Sequence, residues 1–474
     1  MEDFPTALGL AAAVRNRDVS PTELVGETLR RIDERNEAIN AVIWVDPDDA
    51  RRRARAAEDR LASDDPVPPF LGVPIAIKDL DEVAGWPTTF GSAGASDEPS
   101  SESASVVLQL EAAGFVLVGR TNTPEFGPIT AAENTRYGIS RNPWNTDRSP
   151  GGSSGGASAA TAAGIYAAAH ANDGGGSIRI PASCCDLVGH KASRGLVVQQ
   201  VQMWEGAAVQ GAVTHTVADT AAILDVIAVH DPLSWWKSPL PQTSFTAAAS
   251  TQPEPLRVAV ISDSPLGLPT DPECSEAARR TASALEAAGH CVVEVPVDFQ
   301  IDRFLSGYTT VVNAGLADYD GLVDWSRTEP HNRAARAALD EVDAATYVKA
   351  VSELQRWSRD VNAQWSADFD VLVTPTMPNQ PVPAGQILRE VHAAPDELSP
   401  TLLSTVTFTA VFNMSGLPAI SIPAHVASDT GLPIGAQIVA PPFRDDLCLS
   451  LAAQLEPRMG WVDRNPDLAG FTAG

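Results

Sequence analysis

The chain has 474 residues, and 33 basic against 60 acidic side chains give it a formal net charge of −27. This excess of negative charge argues against a nucleic-acid partner, because phosphate binding requires lysine and arginine. With 44% hydrophobic and 20% charged residues the composition is that of a globular protein, and no apolar run is long enough to predict a membrane span.

The start of the chain lacks the basic segment of a signal peptide, so we expect a cytoplasmic protein. Its five cysteines have no metal-like spacing, and an odd, sparse number argues against a disulfide framework. They are therefore predicted to be small buried side chains.

Residues 1–65 are predicted to form a helical N-terminal segment. Ser20 and Glu23 form a capping box around Pro21, which opens an amphipathic helix. A second, charged helix fits residues 48–62.

Helices and strands alternate through the rest of the chain. Helices are predicted at residues 105–113, 157–169, 275–288 and 344–365, and strands at residues 70–80, 115–118, 257–261, 291–295, 371–374 and 419–422. Such alternation predicts an α/β fold. We expect one domain, residues 1–474, in which helices cover both faces of a large mixed β-sheet.

The first of three segments with chemical potential is GVPIAIKD, residues 72–79. Here Lys78 follows an apolar run that should be a buried strand. Burial favours the neutral amine, which can accept a proton near neutral pH. A strand-end lysine that reaches solvent is the simpler alternative.

The other two segments, SPGGSSGG (149–156) and DGGGSIRIP (173–181), place glycines next to serines. Such a backbone can direct several N–H groups at one oxyanion, although two polar turns would look alike. Neither segment has the Gly-Lys-Ser/Thr ending of a phosphate loop, and the chain has no Gly-x-Ser-x-Gly elbow.

Taken together, Lys78, the glycine-flanked Ser153 and Ser177, 24 residues later, resemble the amidase signature family. The resemblance covers residues 70–195 and, more weakly, 412–435. The run HANDGGGS that ends at Ser177 is similar to the branch containing actinobacterial amidases and 6-aminohexanoate cyclic dimer hydrolase.

The resemblance implies an amidase that hydrolyses the C–N bond of small or medium carboxylic amides. It implies that Ser177 is the acylated nucleophile, that Ser153 is the bridging serine after a cis peptide bond, and that Lys78 is the general base. It further implies an oxyanion hole formed by backbone N–H groups of the glycine run, which we assign to Gly174, Gly175 and Gly176.

Four neighbouring residues receive supporting roles. Asp173 and Arg179 are expected to hold the loop around the nucleophile, and Phe126 and Trp204 to contact substrate. Residues 225–365 carry little of the resemblance and are expected to be variable and to shape the substrate pocket. No cofactor and no metal are expected, because no cluster of histidine, cysteine and carboxylates has ligand spacing along the sequence.

The chain departs from the family pattern at several positions near these motifs, which puts substrate choice in doubt: Asp186, His190, Ala192, Leu196 and His215. Two alternatives remain open at this point. One is an acyl transferase or cyclase that uses an amine acceptor, and the other is the glutaminase-type subunit of an amidotransferase. The expected partner is a small-molecule amide, with neither nucleic acid nor membrane, and a homodimer is expected by analogy alone.

Overall fold

The computed structural model describes residues 4–365, 367–469 and 471. The helices are α1 Ala7–Asn16, α2 Pro21–Ile39, α3 Pro47–Ala62, α4 Ser105–Ala112, α5 Gly155–Ala162, α6 Arg179–Cys184, α7 Met203–Gly206, α8 Val217–Ile227, α9 Phe245–Ala249, α10 Pro272–Ala287, α11 Ile301–Ala314, α12 Pro330–Ala338, α13 Ala344–Asn362, α14 Gln386–Ala393, α15 Pro400–Thr405, α16 Ala410–Met414 and α17 Asp445–Met459. The strands are β1 Val42–Trp44, β2 Pro74–Lys78, β3 Val116–Thr121, β4 Glu133–Asn134, β5 Gly138–Ile139, β6 Ala168–Asp173, β7 Val188–Lys191, β8 Val209–Thr214, β9 Arg257–Val260, β10 Cys291–Val293, β11 Val371–Pro375, β12 Ala419–Val426 and β13 Pro433–Val439.

Eleven of these strands form one mixed sheet in the order β1-β3-β2-β6-β8-β7-β12-β13-β11-β9-β10. The pairs β2–β3, β2–β6, β9–β10 and β9–β11 are parallel, and the remaining pairs are antiparallel. The six strands on one side of the β7–β12 pair precede residue 215, and the five on the other side follow residue 256. Only three residue pairs join β7 to β12.

Successive residues of the central strands face two separate cores, as a period of two requires. On β11, Val371 and Val373 pack in a cluster with residues of α8 and α17, whereas Leu372 packs in a cluster with residues of α11 and α13. The strand is buried on both faces, and its sequence is apolar except for Thr374. The α/β fold with helices on both sides of a large mixed sheet is therefore confirmed.

Local signals set several element boundaries. The Ser20 hydroxyl accepts from the Glu23 N–H, the Glu23 carboxylate accepts from the Ser20 N–H, and the predicted helix begins at Pro21. It ends at Ile39, because Asn40 takes the left-handed conformation. The N-terminal segment also contains the short strand β1, which pairs with β3.

Two predictions were wrong in detail. The alanine-rich helix expected over 157–169 ends at Ala162, and its last two residues belong to β6. Helix propensity favours alanine only weakly, and pairing of β6 with β2 and β8 overrides it. Cys291 is exposed, unlike the four buried cysteines, because it opens the edge strand β10. Among the described residues, no helix is both long and apolar enough to cross a membrane.

Candidate active site

Lys78 is the last residue of β2, near the middle of the sheet half that precedes residue 215, and its side chain is fully buried. The amine contacts three oxygens: Ser153 Oγ at 2.7 Å, Ser154 Oγ at 2.9 Å and Asn172 Oδ1 at 2.6 Å. The strand thus delivers the lysine to the first glycine and serine segment, as the sequence predicts.

The hydrogen-bond partners of these oxygens fix how the amine is used. Ser154 donates its own hydrogen to the carbonyl of Asn172, so its oxygen is free to accept from Nζ. Asn172 Oδ1 can only accept, since its Nδ2 donates to Asp81 Oδ2 at 3.0 Å. A neutral amine has two hydrogens and one lone pair, and the two hydrogens are donated to Ser154 Oγ and Asn172 Oδ1. The lone pair faces Ser153.

The protonation state of Lys78 follows from its burial. Burial lowers the pKa of Lys78 to about 7, although the negative charges of Asp81 and Asp173 act in the opposite direction. Near neutral pH a large fraction of the amine is therefore uncharged, and it can accept a proton from the Ser153 hydroxyl.

Ser177 lies in the second serine segment, next to Ser153. The Ser154 N–H donates to the Ser177 carbonyl at 3.2 Å, which holds the two segments together. The peptide bond between Gly152 and Ser153 is cis, as the resemblance implies. Ser177 lines both of the cavities described below.

The expected oxyanion donors need one correction. The Gly176 N–H already donates to Asp173 Oδ1 at 2.7 Å, so it is not available to an oxyanion. The N–H groups of Gly174, Gly175 and Ser177 make no hydrogen bond to any other described residue. These three are the free donors of the loop.

Asp173 and Arg179 form a fully buried ion pair with an Nε–Oδ2 distance of 2.9 Å. Burial by itself would raise the pKa of Asp173, but the charge and hydrogen bonds of Arg179, with further help from Asn413, hold it well below its usual range. The carboxylate also accepts from the Gly176 and Ile178 N–H groups on both sides of Ser177. The pair therefore contacts the backbone of the loop on both sides of Ser177.

Close packing explains why two positions near the site are occupied by glycine. A β-carbon at Gly174 would lie 2.3 Å from the Trp204 ring, and one at Gly152 would lie 2.4 Å from the backbone nitrogen of Ala131. Only glycine fits at these positions, because the backbone lies against the Trp204 ring at one and against the loop at Ala131 at the other.

A polar network behind Lys78 was missed by the sequence analysis. The Lys78 N–H donates to His170 Nδ1, and His170 Nε2 therefore carries the hydrogen that Gln210 Oε1 accepts at 2.9 Å. Gln210 in turn donates to Asp81, which also holds Asn172. The signal was present, since His170 and Asn172 alternate with alanine on β6 and so face the same side of the strand.

Two cavities meet at Ser177. The first, which we name the apolar chamber, has a volume of about 550 Å³. Most of its wall is apolar and includes Phe304, Tyr308, Leu316, Leu402 and Val406, and its carboxylates are Asp396 and Glu397. The second, which we name the acidic chamber, has a volume of about 670 Å³, and its carboxylates are Asp81, Glu82, Glu98, Glu102 and Asp318. Among the described residues, no lysine or arginine lines either chamber.

The predicted substrate contacts stand where the chambers join. Phe126 and Trp204 line both, together with Ser177, and both take left-handed backbone conformations. Gly175 lines only the apolar chamber, whereas Ser153 lines only the acidic chamber. The nucleophile candidate is thus open to two chemically different spaces.

Three residues that differ from the family pattern form ion pairs or hydrogen bonds in this chain. Asp186 pairs with Arg464 at 2.9 Å, and His190 Nε2 contacts Asp445 Oδ1 at 3.0 Å. His215, where an arginine is usual, is half-buried, and its Nε2 lies 3.0 Å from the Thr161 carbonyl oxygen. All three form stabilising contacts in this chain, and none of them lines either chamber.

Comparisons with known proteins agree with this geometry. The sequence profile described as Amidase matches residues 23–449. The chain is 38% identical to the 6-aminohexanoate-cyclic-dimer hydrolase of Paenarthrobacter ureafaciens, over 98% of this chain and 96% of that protein. It is 34% identical to an acylamidase of Rhodococcus erythropolis, over 97% of each chain. A solved structure of 6-aminohexanoate cyclic dimer hydrolase complexed with substrate superposes with a TM-score of 0.92 at 37% identity, and the match covers 99% of this chain and 100% of that one.

Proposed function

The chain belongs to the amidase family of amide hydrolases, and from this premise we propose that it cleaves small or medium carboxylic amides through an acyl-enzyme on Ser177. Ser153 and Lys78 act as one proton relay, and no metal takes part in the chemistry. The observation that carries the proposal is the buried amine of Lys78, whose one uncommitted position faces Ser153.

In the first half of the reaction, the Ser177 oxygen attacks the amide carbon while its proton passes to Ser153 and that of Ser153 to Lys78. The carbonyl oxygen becomes an oxyanion, which the N–H groups of Gly174, Gly175 and Ser177 stabilise. The C–N bond then breaks, and the relay runs backwards to give the departing nitrogen its proton. Water hydrolyses the ester by the same relay and releases the carboxylic acid.

The test of this assignment is covalent labelling of the purified chain. We expect a fluorophosphonate to add one group per chain, and peptide mapping to place it on Ser177, because the relay activates that hydroxyl. An amide substrate should add the mass of its acyl group at the same residue. Label on Cys184 or Cys185, or no label, would exclude Ser177 as the nucleophile.

The pH dependence should follow Lys78. Since the neutral amine is the base and its pKa is about 7, we expect kcat/KM to rise about tenfold per pH unit below that value and to level off above it. Stopped assays from pH 5 to pH 9 measure this profile. A maximum below about pH 6 would contradict a lysine base.

The chambers divide the substrate between them. The departing nitrogen must lie near Ser153, which returns the proton, and Ser153 lines only the acidic chamber. The amine part of the amide therefore occupies the acidic chamber, and the acyl part extends into the apolar chamber. Both volumes suit a medium-sized amide, cyclic or linear.

Charge on the amine part should consequently control the rate. For amides with one common aryl-acyl group, we expect a carboxylate on the amine part to lower kcat/KM at least about tenfold relative to an ammonium group, and added salt to reduce the difference. Glu102→Gln should reduce the difference in kcat/KM between the ammonium and the carboxylate substrate. Glu276→Gln, on the exposed face of α10, should leave that difference unchanged. Faster cleavage of the carboxylate member at low and high salt would refute the assignment.

The acidic chamber also favours a second candidate, transfer of the acyl group to an amine. An amine acceptor that carries an ammonium group elsewhere would bind where the departing amine was bound. Its neutral amine would attack the ester of Ser177 and form a new amide. Product analysis with added amines distinguishes the two functions, because transfer yields a new amide and hydrolysis yields only the acid.

Residues 225–365 act as the substrate-shaping region in this proposal, which is supported by Phe304, Tyr308 and Leu316 in the wall of the apolar chamber. We further propose a single catalytic domain over residues 1–474. A cytoplasmic location and a homodimer stay predictions that cell fractionation and light scattering test.

A further inference from the structure

Three potential metal ligands meet outside the catalytic residues, and one of them, His331, lines the apolar chamber. Glu329 immediately precedes α12, His331 lies in the first turn of that helix, and His392 lies in the last turn of α14. One nitrogen or oxygen from each of the three lies within 4.8 Å of the others. We call these residues the Glu329 cluster. No local pattern indicates it, since His392 lies 61 positions after His331.

The distances within the Glu329 cluster suit a metal better than hydrogen bonds. His392 Nε2 lies 3.4 Å and His331 Nδ1 lies 3.7 Å from Glu329 Oε2. A hydrogen bond to a carboxylate is normally shorter than 3 Å. By contrast, ligands held about 2.1 Å from a tetrahedral zinc ion lie about 3.4 Å from one another.

His331 has no other use in the structure. Its side chain is 11% exposed, and neither ring nitrogen has a hydrogen-bond partner among the described residues. A buried imidazole without partners is unusual in a folded protein and points to a missing ligand.

The surroundings favour a cation and hold its ligands in place. The carboxyl groups of Glu125 and Glu133 are buried near that of Glu329, which is itself buried. A divalent ion would neutralise this excess of buried carboxylates. Glu329 Oε1 accepts from the Thr135 N–H at 2.8 Å, which leaves Oε2 to the cluster. The positive charge of Arg333 lies near His392 and would oppose the binding of a cation.

We propose that Glu329, His331 and His392 bind one divalent transition-metal ion, with zinc the best match to two imidazoles and a carboxylate. A fourth position is open to the apolar chamber, which His331 lines. Such an ion would tie α12 to α14 and fix this part of the chamber wall. The site takes no part in the proposed acyl transfer and is independent of it.

The experiment is equilibrium dialysis of the full chain, stripped with a chelator, against zinc chloride, with elemental analysis of the retained metal. We expect one zinc per chain, and binding weakened at least about tenfold in His331→Ala, His392→Ala and Glu329→Gln. His425→Ala is the matched control, because it removes a histidine whose ring bonds to Glu273 and Arg280 and which is not part of the Glu329 cluster, and it should bind zinc like the unchanged chain.

A second measurement, thermal unfolding, does not depend on the retention of zinc in dialysis. Zinc should raise the Tm of the stripped protein, and the increase should disappear in His331→Ala and persist in His425→Ala. Failure of the unchanged chain to retain one zinc, or equal retention by the three cluster variants, would overturn the proposal.

Discussion

Ser177→Ala and Lys78→Met should each lower kcat/KM by at least about 10³-fold, and the double variant should lose little more than either single one. The reason is that both residues take part in one proton transfer. Without Ser177 the Lys78 base has no nucleophile to deprotonate, and without Lys78 the Ser177 hydroxyl is not activated. Lys78→Met keeps the volume of the buried stem. Steady-state kinetics on the three variants, with circular dichroism to verify folding, measure the effect.

Ser158→Ala is the matched control for this series. Ser158 is a fully buried serine on α5, and its hydroxyl has no hydrogen-bond partner among the described residues. Its replacement should leave kcat/KM within about twofold, since no bond is lost. Losses for Ser177 and Lys78 that multiply in the double variant would indicate two independent roles and would contradict the relay.

Arg179→Met should lower the free energy of unfolding by about 3–5 kcal/mol, because it leaves the fully buried Asp173 carboxylate without its cation. The same change at Arg279, whose pair with Glu276 is exposed on α10, should cost less than about 1 kcal/mol. Urea denaturation of both variants gives the comparison.

The sign of the pH dependence provides a second readout. With Arg179 present, the pKa of Asp173 is lowered, so this group adds stability above its unfolded pKa and loses it as the pH falls. Without the guanidinium, burial dominates and the folded pKa lies above the unfolded value. Arg179→Met should therefore regain stability towards acidic pH, and equal losses at pH 5 and pH 8 would contradict this account.

Local sequence sufficed for features that depend on neighbouring residues. The capping box at Ser20 and Glu23 set the start of α2, and the apolar run before Lys78 placed that lysine at the end of a buried strand. The glycine and serine segments could be recognised because their backbone geometry demands glycine. The resemblance then suggested roles for Ser153 and Ser177, which the fold brings close to each other.

Contacts between distant segments could not be predicted in this way. Asn413 and Gln437, which hold Arg179, come from more than 230 residues further along the chain. The meeting of His331 with His392 depends on how α12 packs against α14. No local pattern encodes such pairs, because each partner is an ordinary polar residue in its own segment.

The narrow β7–β12 junction has a consequence for biosynthesis. All three proposed catalytic side chains precede the junction and leave the ribosome first, yet the buried arginine that shapes their loop is held by residues of α16 and β13, which lie beyond it. A nascent chain that has not yet reached residue 437 carries the reactive groups without the clamp that orders them. We therefore expect the loop of the proposed nucleophile to reach its active geometry only after the second half of the sheet has docked, so that an unfinished chain would not hydrolyse peptides.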